Sequence, residues 1–414
     1  MSLFGMAWRA LWTRPAITLL TLLGIALGSG LICAVLALGQ GAQSSFKREA
    51  ALVHLMAGPE GSRLQLVLSS LYHLDQPAGI LPLEVVYPWM QDDLVAQAVQ
   101  LGIGDSFRGR RIVGASTNLF FLTQRDHITP LFSFAEGRAF SGDFEAVLGS
   151  EAARATGLKI GDSFMGSHGL SEGGEVHGDF PYKVVGRLAP TGTAFDRAVY
   201  TSIESVWAVH GHDTHDHEHH DHGPGEVCLA GKEVSAVLFQ MNAAGPPLFA
   251  FRERMEKEAG LVTAMPLEEM HRMFTRFLRP LQRVLLLLAG LVALVAGLNI
   301  LNTLLQSAEQ RRRDRAVLRL LGARPRDVVS LVFLEAVLLV FIGLALGWFL
   351  AHLGLAIAQP TLESRMGLHI SAWAPVASEW KALGLIALGG AVCGLVPALM
   401  QYRRSPLRDV NPQA

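Results

Sequence analysis

The sequence predicts an α-helical membrane protein with four transmembrane helices and a large α+β domain inserted between the first and second of them. Three observations predict it: four long apolar runs, arginines gathered at one set of their ends, and mixed strand and helix patterning in the single long gap. The runs cover residues 16–39, 284–305, 328–358 and 382–400. At about 1.5 Å of rise per residue, each can cross a hydrocarbon core of roughly 30 Å as a helix.

Basic residues orient the runs. Arg9 and Arg14 precede the first. Arg311, Arg312, Arg313, Arg315, Arg319, Arg324 and Arg326 lie between the second and third, and Arg403, Arg404 and Arg408 follow the fourth. Cationic loops near membrane ends stay in the cytoplasm, so 1–15, 306–327 and 401–414 are expected inside. The insert 40–280 and the short loop 359–381 are then expected outside. The first run has the basic flank of a cleaved signal peptide, and small residues around 37–42 resemble a cleavage site. Its apolar stretch exceeds the roughly 7–15 residues of such peptides, so an anchored helix is expected.

Lys+Arg 35 against Asp+Glu 36 gives a formal net charge of -1, which conceals an uneven layout. Basic residues concentrate at the inner face, while the outer insert carries most of the acids and histidines. No basic footprint clusters on a soluble face, which argues against nucleic acid as a partner. Cys33 and Cys393 lie in apolar runs, leaving Cys228 alone in the insert, where a buried apolar thiol is expected. Without a disulfide, a domain of about 240 residues rests on its own core, and two lobes are expected.

Within the insert, 40–57 reads as a polar helical continuation of the first crossing, with Phe46, Leu52, Val53 and Leu55 as apolar contacts. Residues 63–68, 111–114, 146–149, 182–186 and 234–241 read as strands, from alternation or β-branched runs. Residues 151–157 read as a short helix stopped by Gly157, and 247–260 has helical composition. Short strands mixed with short helices imply an α+β domain. The Gly-rich stretches 165–178 and 210–225 read as exposed loops.

The second of these loops carries His210, His212, His215, His217, His219, His220 and His222, interleaved with Asp213, Asp216, Glu218 and Asp221. Neutral imidazole and carboxylate together suit zinc, nickel or copper(II). A tract this dense is expected to chelate zinc or copper without fixed geometry, and to release the metal near the imidazole pKa of about 6.5. The competing reading is a solvated low-complexity insertion whose metal binding serves nothing in the cell. His168 and His177, in the other Gly-rich loop, read as ordinary exposed histidines.

No G-x-x-x-x-G-K-[ST], H-E-x-x-H or G-x-S-x-G occurs, so no catalytic residue is assigned and the chain itself calls for no cofactor. Asn299, Asn302 and Glu335 fall inside apolar runs, where facing lipid would be costly, so each is expected to turn toward another helix. Gly24 and Gly28 form a small-xxx-small pair suited to close helix approach.

Between the second and third runs, Ala316, Val317, Leu320 and Leu321 fall at helical spacing opposite Arg312, Arg315 and Arg319, with Gly322 as a stop before Pro325. Such a helix anchors to inner-leaflet lipid or docks a cytoplasmic partner. The run Arg313-Asp314-Arg315-Ala316-Val317-Leu318-Arg319-Leu320-Leu321-Gly322-Ala323 resembles the R-x-E-x-x-x-L-R-A-L-G-A segment of MacB/FtsX-type ABC transporter permeases. Asp314 stands where that family usually has Glu, and Arg315 where an apolar residue is common. The resemblance continues through 331–348 with Glu335, Gly343 and Gly347, through Val396-Pro397-Ala398, and through Arg403, Ser405, Pro406 and Leu407. It also takes in 14–28, and, in the insert, 146–150 with Gly157, Gly161 and Asp162, then 182–186, Asp196 and 199–201.

The resemblance implies a bacterial inner-membrane permease subunit with its large domain in the periplasm, handling a periplasmic or outer-leaflet substrate by mechanotransmission. It implies that ATP is bound and hydrolysed by a separate ABC ATPase subunit touching Arg312, Arg313, Asp314, Leu318, Arg319, Gly322 and Ala323. A second permease copy or a paralogue, membrane lipid and a periplasmic substrate-delivery protein are the further partners it implies. Segments 40–47 and 267–281 would be the levers. Two other readings stand beside it: a membrane-anchored periplasmic metal-binding or sensing protein, and an FtsX-like regulator of an envelope enzyme. The His-rich loop adds an expected link to zinc or copper homeostasis.

Overall fold

The computed structural model describes residues 3–13, 15–124, 128–168, 180–210, 229–310, 324–366 and 370–402. The chain begins with helix α1 (Leu3–Trp12) and the long helix α2 (Pro15–Ala50). There follow β1 (Leu55–Gly58), α3 (Arg63–Ser70), β2 (Leu81–Pro82), α4 (Leu83–Met90), β3 (Val95–Phe107) and β4 (Arg110–Ala115). Next come β5 (Phe134–Gly137), β6 (Glu145–Leu148), α5 (Ser150–Thr156), β7 (Ser163–Phe164), β8 (Ser167–His168), β9 (Tyr182–Leu188), β10 (Val199–Ser202) and α6 (Ile203–Val209). After β11 (Glu233–Val234), β12 (Ala236–Met241), α7 (Pro246–Ala259), β13 (Val262–Ala264) and α8 (Pro266–Met273), a π-helical turn (Phe274–Leu278) leads into α9 (Arg279–Gln310). The chain closes with α10 (Pro325–Met366) and α11 (Ala377–Tyr402).

Two compact units result. One comprises Met1–Ala42, Phe277–Pro360 and Ile370–Ala414, and the other Gln43–Arg276 with Thr361–His369. The four apolar runs fall within α2, α9, α10 and α11, which are 36, 32, 42 and 26 residues long. Each is long and apolar enough to cross a membrane, and the protein is a multi-pass membrane protein.

Small residues set the packing of the membrane unit. A side chain added at Gly24 or Gly28 would meet Ala296 or Ala293 of α9, so the small-xxx-small pair faces the second crossing. A side chain at Gly30 would come within 2.9 Å of the Gly347 carbonyl oxygen, so α2 and α10 touch backbone to backbone there. Ile25, Cys33, Ala296, Ile300, Ala336, Val340, Leu344 and Leu383 fill the space between the helices.

In the outer unit, nine strands run in the order β13-β1-β12-β3-β4-β10-β6-β9-β5, with β7 added on β9 and β8 on β3. Pairing is antiparallel except between β4 and β10 and between β6 and β9. β2 and β11 form a separate pair. The expected two lobes are therefore one sheet, hydrogen-bonded continuously through β3 and β4. Its largest apolar cluster draws residues from β1 (Met56), β3 (Val99, Leu101), β4 (Val113), β6 (Val147), β9 (Leu188) and β12 (Leu238).

Several readings of the insert hold. Strands occupy 110–115, 145–148 and 182–188, and α5 ends at Gly157 in the left-handed conformation (φ 73°) that glycine adopts without steric cost. Gly260, also left-handed, closes α7. Other readings need correction. Residues 63–68 are helical: the Ser62 hydroxyl accepts a hydrogen bond from Gln65 N, and Leu66, Val67, Ser69 and Ser70 bury one face. The Arg-Leu-Gln-Leu alternation imitates a strand but stops at Val67 and Leu68, adjacent apolar residues that fit a helical stripe. The continuation of the first crossing stops at Ala50, and Leu55 opens a strand instead of extending the helix. The strand expected over 234–241 is split at Ser235, whose Oγ accepts from Ile103 N at 3.0 Å. In the first Gly-rich stretch, Ser167 and His168 pair with Ser106 and Asp105.

Candidate functional site

The residues with expected roles fall into three places. The first is the outer end of α2. Phe46 packs edge-on against Tyr72 (ring centroids 4.9 Å) and against Phe274 of the π turn (5.8 Å), while Tyr72 OH donates to the Phe46 carbonyl at 2.8 Å. The upper part of α2 is thus held between the segment after α3 and the π turn. One turn further, Glu49 is buried, and its Oε1 has no hydrogen-bond partner among the described residues. Burial pushes its carboxyl up to about 8, against the lowering influence of Arg197. Arg197 is itself buried and donates from Nη2 to the Tyr72 carbonyl at 2.8 Å. His73, at φ 54°, lies edge-on to Phe195. Burial pushes it down to about 3, with Arg197 and Arg111 adding to the effect, so its ring is neutral at physiological pH.

Residues 40–47 are helical throughout, as a lever requires. The approach segment 267–281 is helical but not uniformly α, because the π turn interrupts it. A π turn accommodates one extra residue and often marks a functional position. Here it spans the division between the two units, which falls at Arg276 and Phe277.

The second place is the membrane interior. Glu335 is 8 % exposed, as expected for a residue facing other helices. Asn299 and Asn302 differ: both lie on the exposed side of α9, and Asn302 Oδ1 accepts a long 3.5 Å bond from Gln306 on the same helix. Among the described residues, neither turns toward another helix. The buried side of α9 is supplied by Ala289, Ala296 and Ile300, whose spacing leaves positions 299 and 302 facing outward.

The third place is the stem of the histidine tract. His210 Nε2 lies 3.6 Å from Asp105 Oδ2, beside a cavity of about 330 Å³ lined by Ile80, Val206, Trp207, Glu233 and Ser235. His212, Asp213, His215, Asp216, His217, His219, His220, His222 and Cys228 lie outside the described residues, as does His177. So do Arg312, Arg313, Asp314, Leu318, Arg319, Gly322 and Ala323, the residues expected to touch an ATPase. Among the described residues, no three His, Cys, Asp or Glu side chains gather in a metal-holding group.

Sequence reasoning missed Glu49, Tyr72, His73, Arg197 and Phe274. A carboxylate shortly after an apolar run looks solvated, and nothing local shows that residues 125 positions apart, Tyr72 and Arg197, will meet.

Two family models match this chain. The MacB-like periplasmic core domain matches residues 18–238, and the FtsX-like permease C-terminal region matches 286–406. The chain belongs to the MacB/FtsX-type permease family. Among characterised relatives, it is 25% identical over 422 residues to the pyoverdine export ATP-binding/permease protein PvdT of Pseudomonas entomophila. That alignment covers 98% of this chain and 59% of the relative. It is 23% identical to the macrolide export ATP-binding/permease protein MacB of Nitrosomonas europaea, across 97% of this chain and 58% of that protein. The chain therefore spans about three fifths of the length of these curated relatives. The crystal structure of the periplasmic region of MacB from Actinobacillus actinomycetemcomitans aligns with a TM-score of 0.34 and 10% identity, covering 58% of this chain and 98% of that one. As a MacB/FtsX-type permease, the chain is a membrane component of an ABC transporter.

Proposed function

We propose that this permease component works with an ABC ATPase carried on a separate chain, and that it relays the ATPase's movement to the outer domain to handle a periplasmic or outer-leaflet cargo. The observation that carries this reading is the match to both family models, over residues 18–238 and 286–406. Arg313, Asp314 and Arg319 are the coupling contacts in this reading. The helix α2 and the π turn carry movement outward. A second copy or a paralogue completes the membrane assembly and covers the outward side of α9 that bears Asn299 and Asn302. The relatives' activities, export of pyoverdine and of macrolides, favour an exported organic compound over a metal ion as cargo.

The test is copurification from the native bacterium followed by an ATPase assay. A stand-alone ABC ATPase should copurify, and its ATP hydrolysis should depend on the permease. Arg319→Glu should abolish that dependence without reducing the permease in the membrane. Unchanged hydrolysis in the Arg319→Glu assembly would count against the assigned contact, and purification without an ATPase against the whole reading.

A link to transition metals rests on a separate observation, the density of imidazole and carboxylate from His210 to His222. In this reading the tract loads zinc or copper in the periplasm and ties transport to metal supply. Removing residues 211–222 should abolish zinc binding measured by calorimetry and impair growth under metal limitation. Normal growth of that strain would leave the tract without a physiological metal role.

A further inference from the structure

Near the outer ends of the membrane helices lies a pair of ionisable side chains to which no role has been assigned. His352 on α10 and Glu379 in the first turn of α11 are both 0 % exposed. The imidazole is fully engaged: Nδ1 meets the Ala372 carbonyl oxygen, and Nε2 lies 2.9 Å from Glu379 Oε2. The other carboxyl oxygen, Oε1, accepts from Val376 N at 3.4 Å. Glu379 thus caps the start of α11 and holds His352 at the same time.

These contacts fix the number of protons. A carbonyl oxygen only accepts, so Nδ1 carries a hydrogen. A bare Nε2 lone pair facing a carboxylate would repel it, so a second proton lies between Nε2 and Oε2. Imidazolium with carboxylate, and neutral imidazole with carboxylic acid, both satisfy this count. Both are neutral overall, as a dry site requires. The surroundings are aromatic: the Trp348 ring centroid lies 4.4 Å from that of His352, and Trp373 stacks over it at 6.2 Å with 19° between planes.

The segment held by this pair lies against the first crossing. Ala372 packs with Ala37 of α2 and Leu355 of α10 in a small apolar cluster. A side chain at Gly41 would come within 2.7 Å of Ile370 Cγ2, so Ile370 rests on the helix backbone. Ser378 Oγ donates to Gln40 Oε1 at 3.2 Å. The segment from Ile370 to Ser378 therefore reaches α2 where its polar extension begins.

We infer that His352 and Glu379, joined by one shared proton, form a latch that holds residues 370–378 against α2 and fixes the point from which the lever leaves the bilayer. The latch consists of these side chains alone, while its use in coupling rests on the lever reading proposed above.

The test places a single cysteine, Ala372→Cys, in a full-length chain whose native cysteines are replaced by alanine, and follows maleimide labelling in membranes. Ala372 is buried, so the parent should label slowly. His352→Ala and Glu379→Ala should each release the segment and remove that protection. His352→Ala leaves the Glu379 cap on α11 intact, so release there cannot be attributed to loss of the cap. Glu379→Gln should retain protection, because an amide N–H can donate to Nε2 in place of the shared proton. Protection that persists in His352→Ala, or its loss in Glu379→Gln, overturns the latch. ATP hydrolysis by the companion ATPase is measured on the same assemblies. Segment release with unchanged ATP-driven cargo handling would support the latch while refuting the lever reading.

Discussion

A buried carboxyl whose pKa shifts on folding makes stability depend on pH in a predictable direction. Glu49 goes from 4.5 to about 8 because burial disfavours its charged form. Its folded pKa lies above the unfolded one, so the folded state binds the extra proton over that interval. Stability is therefore fully present below pH 4.5 and declines as pH rises through about 8. Thermal melts of the purified protein between pH 5 and 9 should show this decline, and Glu49→Gln should flatten it. A second expectation concerns Gly30, whose missing side chain would sit 2.9 Å from the Gly347 carbonyl oxygen. That neighbour is backbone and cannot rotate aside, so Gly30→Val should destabilise the membrane unit by about 1–3 kcal/mol. Melting in detergent measures it. Residues of this kind differ in how far the sequence announces them. Gly24 and Gly28 are visible as a spaced small pair, and Glu335 as a charge in an apolar run. Asn299 and Asn302 look equivalent to Glu335 in sequence, yet only the phase of α9 decides that they point outward.

At the scale of elements, hydrophobic length was the dependable signal and short amphipathic stretches were not. The four crossings are legible because a bilayer demands many consecutive apolar residues. Strand β3 is the longest in the sheet, yet Gln97, Gln100 and Asp105 together with Gly102 and Gly104 obscure its alternation. Gly114 sits across from Gly102, and the missing side chains make room for Val206 and Ile203 of α6. The apolar signal of that part of the sheet is thus supplied by a helix about a hundred residues away. Ser202 accepts from Ser205 N at 3.1 Å and makes hydroxyl contacts with Ser205 and Asp143. Ser202→Ala removes a buried cap and should cost about 1 kcal/mol or more, read as a lower melting temperature of the outer domain.

For the whole molecule, the family and topology were legible because both family segments carry their motifs in nearly continuous runs. The junction around Phe46, Tyr72 and Phe274 was not, since it joins three distant stretches by ring contacts. If movement passes through that junction, Phe274→Ala should loosen the grip on α2 and uncouple ATP hydrolysis from cargo handling. Tyr72→Phe, which loses only the 2.8 Å bond to the Phe46 carbonyl, should have a smaller effect. Paired ATPase and export assays would separate the two, and equal effects would argue against ring packing as the carrier.

The unbroken ladder from β13 to β5 has a mechanical meaning. Opening a cleft within a single head would require snapping the β3–β4 rungs, which cross its middle. The described strands should therefore move together as one stiff plate. In the assembly proposed above, cargo would then be held between heads on neighbouring chains.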